Sequence, residues 1–231
     1  MNSLEKFYKE KLYPLQDGVM KIVKDLNLPF YLTGGTALSR FYFNHRFSDD
    51  LDLFVNRDIN FHTYQKNIVE TLQSTQLDTG IKVITDRIVT SEDFLQLYLS
   101  KGDIELKVDF VNDISSHFGE FLIDAVYGKI DNLRNILSNK ISALYRFEIK
   151  DFVDIRTIAK NYKFNWQEII NEAKQKEASI DPLEIYNLFL SFPFENLTMI
   201  KWIKEINLDE MQNDFLKISD DILVGGENSL Y

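Results

Sequence analysis

The sequence has no cysteine among its 231 residues. Disulfide bonds, zinc-thiolate sites and thiol nucleophiles are therefore excluded. Any metal ion must be bound by oxygen atoms or by one of only three histidines. Oxygen ligands favour Mg²⁺ or Mn²⁺.

Long apolar runs are also absent. No stretch reaches the roughly 18 consecutive apolar residues of a membrane-spanning helix. The opening MNSLEKFYKEKLYP has no apolar segment that ends in a small-residue cleavage site. We therefore expect a soluble, cytoplasmic protein that does not enter a membrane.

Basic residues are in the minority, since 26 Lys and Arg stand against 36 Asp and Glu and the formal net charge is −10. A protein that coats nucleic acid without specificity needs a broad basic surface. That class is excluded, but a local basic pocket is not. The hydrophobic fraction of 45% allows a sizeable core, in one large domain or in two small ones.

The first part of the chain has the pattern of a small sheet with flanking helices. An amphipathic helix is predicted over residues 4–26, where Pro14 and Gly18 can bend it. TALSRFYF resumes helical spacing with Thr36 as its N-cap, and a polar helix covers residues 62–75. KGD is predicted to form a hairpin turn between the last two of five strands, which are FYLT, DLDLFV, IKVITDRIV, DFLQLYLS and IELKVDFV.

From residue 131 onward the spacing of apolar residues is helical almost throughout. Six helices are predicted, over DNLRNILSNKISALYRF, IKDFVDIRTIAKNY, NWQEIINEAKQ, PLEIYNLFLSF, NLTMIKWIKEI and LDEMQNDFLKI. We therefore predict an α+β protein. Residues 1–130 form a small mixed β-sheet with flanking helices, and residues 131–231 form an all-helical C-terminal domain.

The turn between the first strand and the following helix contains Gly34, Gly35 and Thr36. Glycines at such a turn expose backbone N–H groups without an obstructing Cβ, and the N-terminus of a helix attracts phosphate oxygens. A phosphate-binding turn is one interpretation, and an ordinary tight turn is the alternative.

Acidic side chains lie on one face of DLDLFV. Asp50 and Asp52 are about 7 Å apart on this face, close enough to bind a metal ion, and exposed surface acids are the alternative. If IELKVDFV pairs with this strand, Asp109 faces the same site. The three carboxylates can then hold two Mg²⁺ ions, one with a triphosphate and one that activates a hydroxyl. A solvent-exposed face of Glu105, Lys107 and Asp109 is the other interpretation.

Lys140 interrupts an apolar stripe of the predicted helix that contains Leu137 and Leu144. A buried lysine needs a partner, so this side chain either snorkels to the edge or binds a phosphate. Ion pairs between helices are expected of the charged residues that follow, which are Arg146, Lys150, Asp151 and Asp154. His45 is expected to carry a proton or to stabilise a turn.

Together these motifs resemble the AbiEii/AbiGii toxin family of nucleotidyltransferases. The resemblance covers roughly residues 30–160. It consists of four segments in the order of the family, which are GGTAL, HRFSDDLDLF, KVDF and KISALYRFEIKDFVDI. Four motifs in order are far more specific than any one of them.

The resemblance implies a DNA polymerase β-like nucleotidyltransferase core followed by a helical domain. It implies transfer of NMP from an NTP to an acceptor hydroxyl, with release of pyrophosphate, by a toxin of a toxin-antitoxin or phage-abortive system. The expected cofactor is Mg²⁺ or Mn²⁺. The expected partners are the NTP, an RNA acceptor such as the 3′ end of tRNA, and a cognate antitoxin.

The resemblance also implies roles for individual residues. Asp50, Asp52 and Asp109 are expected to be catalytic and to bind metal. Lys140 is expected to be catalytic through contacts with nucleotide phosphates. The other expected nucleotide-binding residues are Gly34, Gly35, Thr36, Arg46, Ser48 and Asp151.

One departure from the family pattern concerns Lys150, which stands where the family often has arginine. The charge is kept, but the bidentate fork of arginine is lost. The short, acidic chain leaves the acceptor open. The alternatives are a nucleotidyltransferase that acts on a protein or a small molecule, and a non-catalytic nucleotide-binding interaction protein.

Overall fold

A mixed β-sheet organises the first part of the chain in the computed structural model, which describes residues 3–231. Within these residues eight strands form the sheet in the order β3-β5-β6-β2-β1-β8-β7, and β4 pairs with β5. The pairs β1/β8 and β2/β6 are parallel and the other pairs are antiparallel. The strands are β1 (Tyr31–Thr33), β2 (Leu51–Asn56), β3 (Lys82–Val83), β4 (Val89–Thr90), β5 (Phe94–Lys101), β6 (Ile104–Asp113), β7 (Leu122–Asp124) and β8 (Gly128–Ile130).

The chain divides into two compact units. The first comprises residues 1–41, 47–115 and 120–131, and the second comprises residues 42–46, 116–119 and 132–231. Two short segments of residues 1–130, namely 42–46 and 116–119, thus belong to the second unit. The predicted domains, 1–130 and 131–231, remain predictions, because compact packing does not show that either part folds independently.

The predicted N-terminal helix is present as a continuous helical run with one wider turn. It consists of α1 (Ser3–Phe7), a π-helical turn (Tyr8–Leu12) and α2 (Tyr13–Asp25). Pro14 lies at the start of α2, directly after the π-helical turn. The buried residues keep the predicted helical spacing, and they include Tyr8, Leu12, Leu15, Val19 and Val23.

The strands alternate between a buried apolar face and a polar face, as the sequence predicts for DLDLFV. In β2 the residues Leu51, Leu53 and Val55 are buried and those between them are half-buried. The apolar face of β6 includes Phe110, whose ring packs edge-to-face on Phe30. Phe30 in turn contacts Phe61 at the start of α4 (Phe61–Ser74), so this helix covers the apolar face.

IELKVDFV pairs with DLDLFV, which is the condition for Asp109 to face the same site as Asp50 and Asp52. Strands β2 and β6 are parallel neighbours, and the register places Asp52 opposite Asp109. The predicted hairpin turn is confirmed, since Lys101 pairs with Ile104 across Gly102 and Asp103. Gly102 has a φ of +63°, a conformation that glycine adopts without strain.

One prediction about strands is wrong, and one pair of strands was not predicted. IKVITDRIV forms β3, a 3₁₀ turn (Thr85–Arg87) and β4 rather than one strand, and each of these strands pairs only with β5. The hairpin of β7 and β8 was not predicted. Its strands have three residues each, too few to show the alternation from which a strand is read.

The second unit contains the helices that follow the sheet. They are α6 (Leu133–Ser142), α7 (Ile149–Ala159), α8 (Trp166–Lys176), α9 (Pro182–Leu190) and α10 (Leu208–Val224). The short helices α3 (Gly34–Ala37) and α5 (Gln76–Thr79) and a π-helical segment (Leu38–Phe43) come earlier in the chain. The predicted α+β fold is confirmed. No helix of residues 3–231 is long and apolar enough to cross a membrane.

The helix predicted over NLTMIKWIKEI is wrong. A 3₁₀ helix covers Phe194–Met199, and the chain then leaves the helical conformation. Trp202 pairs with Arg46 in an antiparallel bridge, and the Ile203 N–H donates to the carbonyl of His45. These contacts with a segment distant in sequence override the local helical spacing.

The core of the second unit is a cluster of phenylalanines around Phe152. This side chain is fully buried, and its ring contacts those of Phe147, Phe189, Phe192 and Phe215 at centroid distances of 5.2, 5.0, 5.2 and 6.4 Å. Such aromatic contacts add to the hydrophobic stabilisation that burial provides.

We expect Phe152→Ala to lower the free energy of unfolding by about 3–5 kcal/mol, because it leaves a cavity in this cluster. Urea unfolding monitored by circular dichroism measures the change. Leu183 of α9 is 55% exposed, so Leu183→Ala is the control and should change stability by no more than about 0.5 kcal/mol. Equal effects of the two substitutions would contradict the proposed core.

Candidate active site

The turn between β1 and α3 brings a glycine against an acidic side chain. Gly34 has a φ of +68°, and a Cβ built on it would lie 2.5 Å from Oδ2 of Asp52. A side chain at this position would therefore meet both backbone strain and a clash. The glycine lets the turn lie directly against the carboxylate of β2.

Thr36 does not cap the helix, so this prediction is wrong. The N-cap position belongs to Thr33, whose side chain makes no capping hydrogen bond. The hydroxyl of Thr36 instead donates to the Asp50 carbonyl, and it also lies 2.9 Å from the Ser48 hydroxyl. Both hydroxyl residues are buried, so this contact ties the glycine turn to the segment that leads into β2.

Asp50, which directly precedes β2, and Asp109 of β6 both contact the side chain of one lysine. The ammonium of Lys107 lies 3.3 Å from Oδ2 of Asp50 and 3.1 Å from Oδ2 of Asp109. The side-chain amide of Gln96 donates to the other oxygen of Asp109 at 2.9 Å. Two of the three predicted metal ligands thus already converge on one cation.

The charge of Lys107 is stabilised by this arrangement. Partial burial alone would lower the pKa of Lys107, but the carboxylates of Asp50 and Asp109 outweigh burial and hold the pKa above its ordinary value. Lys107 therefore remains a cation at neutral pH, and it offsets the repulsion between carboxylates on adjacent strands.

The donor set fits a divalent metal ion. The side chains of Asp50, Asp52 and Asp109 provide only carboxylate oxygens, the ligands that Mg²⁺ and Mn²⁺ prefer. Strand register fixes Asp52 opposite Asp109, and the Lys107 ammonium shows that a cation is accommodated between Asp50 and Asp109. As the side chains of residues 3–231 stand, however, no three Asp, Glu or His residues converge closely enough to coordinate one metal ion.

A second charged cluster lies in the second unit, around the fully buried side chain of Asp154. Arg46 binds this carboxylate in a bidentate manner, with Nε–Oδ1 and Nη2–Oδ2 distances of 2.8 and 2.7 Å. Nε2 of His45 lies 2.9 Å from Oδ1. The ammonium of Lys140 is 2.8 Å from Oδ2 of Asp154 and 2.5 Å from Oδ1 of Asp151.

The predicted ion pairing between helices is confirmed for Asp151 and Asp154, and its main cationic partner is Lys140 of α6. Lys140 does not snorkel to the edge, because its side chain is only 12% exposed. Burial alone would raise the pKa of Asp154, but Arg46, Lys140 and the hydrogen bond from His45 hold it well below its ordinary value. Burial would lower the pKa of Lys140, and Asp154 and Asp151 raise it instead.

The predicted site residues thus fall into two groups. The first unit contains Gly34, Gly35, Thr36, Ser48, Asp50, Asp52 and Asp109, and the second contains Arg46, Lys140 and Asp151. The sequence analysis assigned no role to Lys107 or Gln96. A signal for Lys107 was available, because residues two apart on a strand project from the same face, and Lys107 precedes Asp109 by two positions.

We expect Gly34→Ala to destabilise the protein by at least about 1 kcal/mol more than Gly102→Ala. Both glycines have positive φ, at +68° and +63°, so the backbone cost of alanine is similar. Nothing lies within 4 Å of a Cβ at Gly102, whereas a Cβ at Gly34 meets the Asp52 carboxylate. Urea unfolding compares the two variants, and equal destabilisation would show that the contact with Asp52 has no cost.

Stability in acid should depend on Asp154. Because its pKa is lower in the folded protein, its contribution is present at neutral pH and is lost as the pH falls below about 4. We expect Asp154→Asn to lower the free energy of unfolding at pH 7 by about 3–5 kcal/mol, and to make the decline below pH 4 shallower. Unfolding curves across pH measure both effects. Asp220→Asn, at an exposed position of α10, is the control that should preserve the decline.

Comparison with known proteins shows a matching family and similar folds. A family model described as "Nucleotidyl transferase AbiEii toxin, Type IV TA system" matches residues 22–219. The crystal structure of JHP933 from Helicobacter pylori matches with a TM-score of 0.61 and 19% identity, over 97% of this chain and 94% of that chain. A crystal structure of a "putative nucleotidyltransferase" from H. pylori matches with a TM-score of 0.62 and 20% identity, over 97% and 96%.

At these identities the two structures show a common fold. No curated protein is similar enough in sequence to match the chain. The family model, however, spans most of the sequence and includes all four motifs and both charged clusters. The chain therefore belongs to the AbiEii family of nucleotidyl transferase toxins of type IV toxin-antitoxin systems.

Proposed function

We propose that this protein transfers NMP from an NTP to an acceptor hydroxyl and releases pyrophosphate. The observation that carries the proposal is the register of β2 and β6, which places Asp52 opposite Asp109 while Asp50 and Asp109 bind a common cation. Carboxylates held together in this way are suited to bind the metal ions of phosphoryl and nucleotidyl transfer.

In this proposal Asp50, Asp52 and Asp109 bind Mg²⁺ or Mn²⁺. The bound metal would neutralise charge on the phosphate oxygens and lower the pKa of the attacking hydroxyl. Asp109 also accepts the proton of the acceptor hydroxyl as that oxygen attacks the α-phosphorus. Gln96 supports this role, because its side-chain amide binds one oxygen of the Asp109 carboxylate and so restricts its rotation.

The glycine turn is the proposed seat of the triphosphate. Gly34 and Gly35 have no side chain to keep phosphate oxygens away from the backbone N–H groups. The hydroxyls of Thr36 and Ser48 contact each other, and that of Thr36 also binds the backbone carbonyl of Asp50, so they connect the turn to the segment that leads into β2. This placement supports all four residues as nucleotide-binding residues.

Lys140, Arg46 and Asp151, which belong to the second unit, are proposed as nucleotide-binding residues. An ammonium group has three N–H donors, and the carboxylates of Asp151 and Asp154 engage two of those of Lys140. One donor therefore remains for a phosphate oxygen. Asp151 would position the ammonium, and Arg46 would add positive charge beside it.

The acceptor is proposed to be an RNA hydroxyl, such as the 3′ end of tRNA, and a cognate antitoxin is proposed to control the activity. Membership in a family of type IV toxin-antitoxin systems supports the antitoxin, whereas the RNA acceptor rests on the resemblance of the four motifs. The net charge of −10 favours a second candidate, the hydroxyl of a protein or of a small molecule, because the polyanionic RNA would be repelled by most of the surface.

The decisive experiment incubates the purified protein with each α-labelled NTP, Mg²⁺ and a cell extract, and separates RNA from protein on gels. We expect label to enter a tRNA-sized band. Asp52→Asn and Asp109→Asn should each reduce the rate by at least about 10²-fold, because a metal ligand and, for Asp109, a proton acceptor is lost.

The matched control is Glu105→Gln. Glu105 is an exposed acid on the same face of β6 as Asp109 and pairs with Arg87, so its removal should leave the rate unchanged. Label in protein would replace the RNA acceptor by the second candidate. Transfer that survives both aspartate substitutions at full rate would refute the proposed site, and absence of any transfer would favour the non-catalytic alternative.

A further inference from the structure

The structure places the cation Lys107 between the carboxylates of Asp50, which directly precedes β2, and Asp109 of β6. Its ammonium contacts Oδ2 of Asp50 and Oδ2 of Asp109, two of the oxygens to which a metal ion would bind. The lysine and the metal would therefore use the same ligand atoms.

The two cations cannot both stay at these oxygens without repulsion. Mg²⁺ binds oxygen at about 2.1 Å, and the ammonium lies 3.1 and 3.3 Å from the same two atoms. A metal ion bound to them would thus be no more than roughly 5 Å from the ammonium, a distance at which like charges repel strongly in a partly buried site. Movement of Lys107 away from these oxygens would relieve the repulsion.

The surroundings of Lys107 allow such a movement. Its side chain is 28% exposed, whereas that of Asp109 is 15% exposed, so the ammonium can turn towards solvent while the carboxylate stays in place.

Repulsion between the carboxylates explains why they need a cation beside them in the metal-free protein. Asp50 and Asp109 carry two negative charges, and the ammonium of Lys107 between them reduces their formal sum to −1. Without it, the carboxylates would repel one another across the β2–β6 pair.

We propose that Lys107 is an internal counter-ion that holds the metal-free carboxylates together and competes with the divalent cation for them. The inference rests on the metal site of the proposed function. Removing the lysine should therefore have two opposite effects. The metal-free protein becomes less stable, and the metal binds more tightly.

The test is a titration with Mn²⁺ alone, followed by electron paramagnetic resonance of free Mn²⁺, so that no activity is needed. We expect Lys107→Met to bind Mn²⁺ at least about fivefold more tightly than the wild type, the lower end of ordinary coupling between sites. Lys107→Arg keeps the charge and should bind with nearly wild-type affinity. Lys82→Met removes an exposed lysine of β3 in the same sheet and should have no effect.

Thermal unfolding gives the second readout. Without metal, Lys107→Met should melt below the wild type, and saturating Mn²⁺ should raise its melting temperature by more than it raises that of the wild type. Equal or weaker Mn²⁺ binding by Lys107→Met would overturn the inference.

The variant Asp109→Asn distinguishes failure of the inference about Lys107 from failure of the proposed function. If wild-type protein binds Mn²⁺ and Asp109→Asn does not, the metal site stands whatever Lys107 does. If Asp109→Asn binds as well as wild type, or if neither wild type nor Lys107→Met binds Mn²⁺, the proposed metal site fails and the inference fails with it.

Discussion

The parallel pairing of β2 with β6 is the constraint on which the arrangement of acidic side chains depends. Each strand buries one face in the apolar core, and a shift of one residue would turn that face towards solvent. The hydrophobic pattern therefore fixes the register, and the register places Asp52 opposite Asp109. Burial of leucines on one face thus accounts for the proximity of carboxylates on the other.

This proximity has an electrostatic cost that the rest of the site offsets. Lys107 neutralises part of the charge, and Gln96 and Lys107 together bind both oxygens of Asp109. Gly34, which has no side chain, leaves room for the Asp52 carboxylate. The glycine turn and the acidic strand therefore form one structural feature, in which a change to either affects the other.

The charged cluster of the second unit is buried, whereas the carboxylates beside Lys107 are partly exposed. Asp154 is fully buried and is bound by Arg46 and Lys140, so its charge is compensated within the protein. Asp50 is still 32% exposed, and its partner Lys107 can reach solvent. A buried cluster such as that around Asp154 stabilises one conformation. Half-exposed carboxylates such as that of Asp50 can exchange their partner for a ligand.

The sequence by itself determined the α+β fold, the alternating faces of the strands and the four motifs of the family, because these depend on local spacing and residue type. It did not determine the β7–β8 hairpin or the loss of helix after Met199, since those conformations depend on β8 pairing with β1 and on the bridge between Arg46 and Trp202. The roles of Thr36 and Lys107 also required the tertiary structure. A side chain's hydrogen-bonding partners come from distant segments, and only folding decides which carboxylate lies within reach of which lysine.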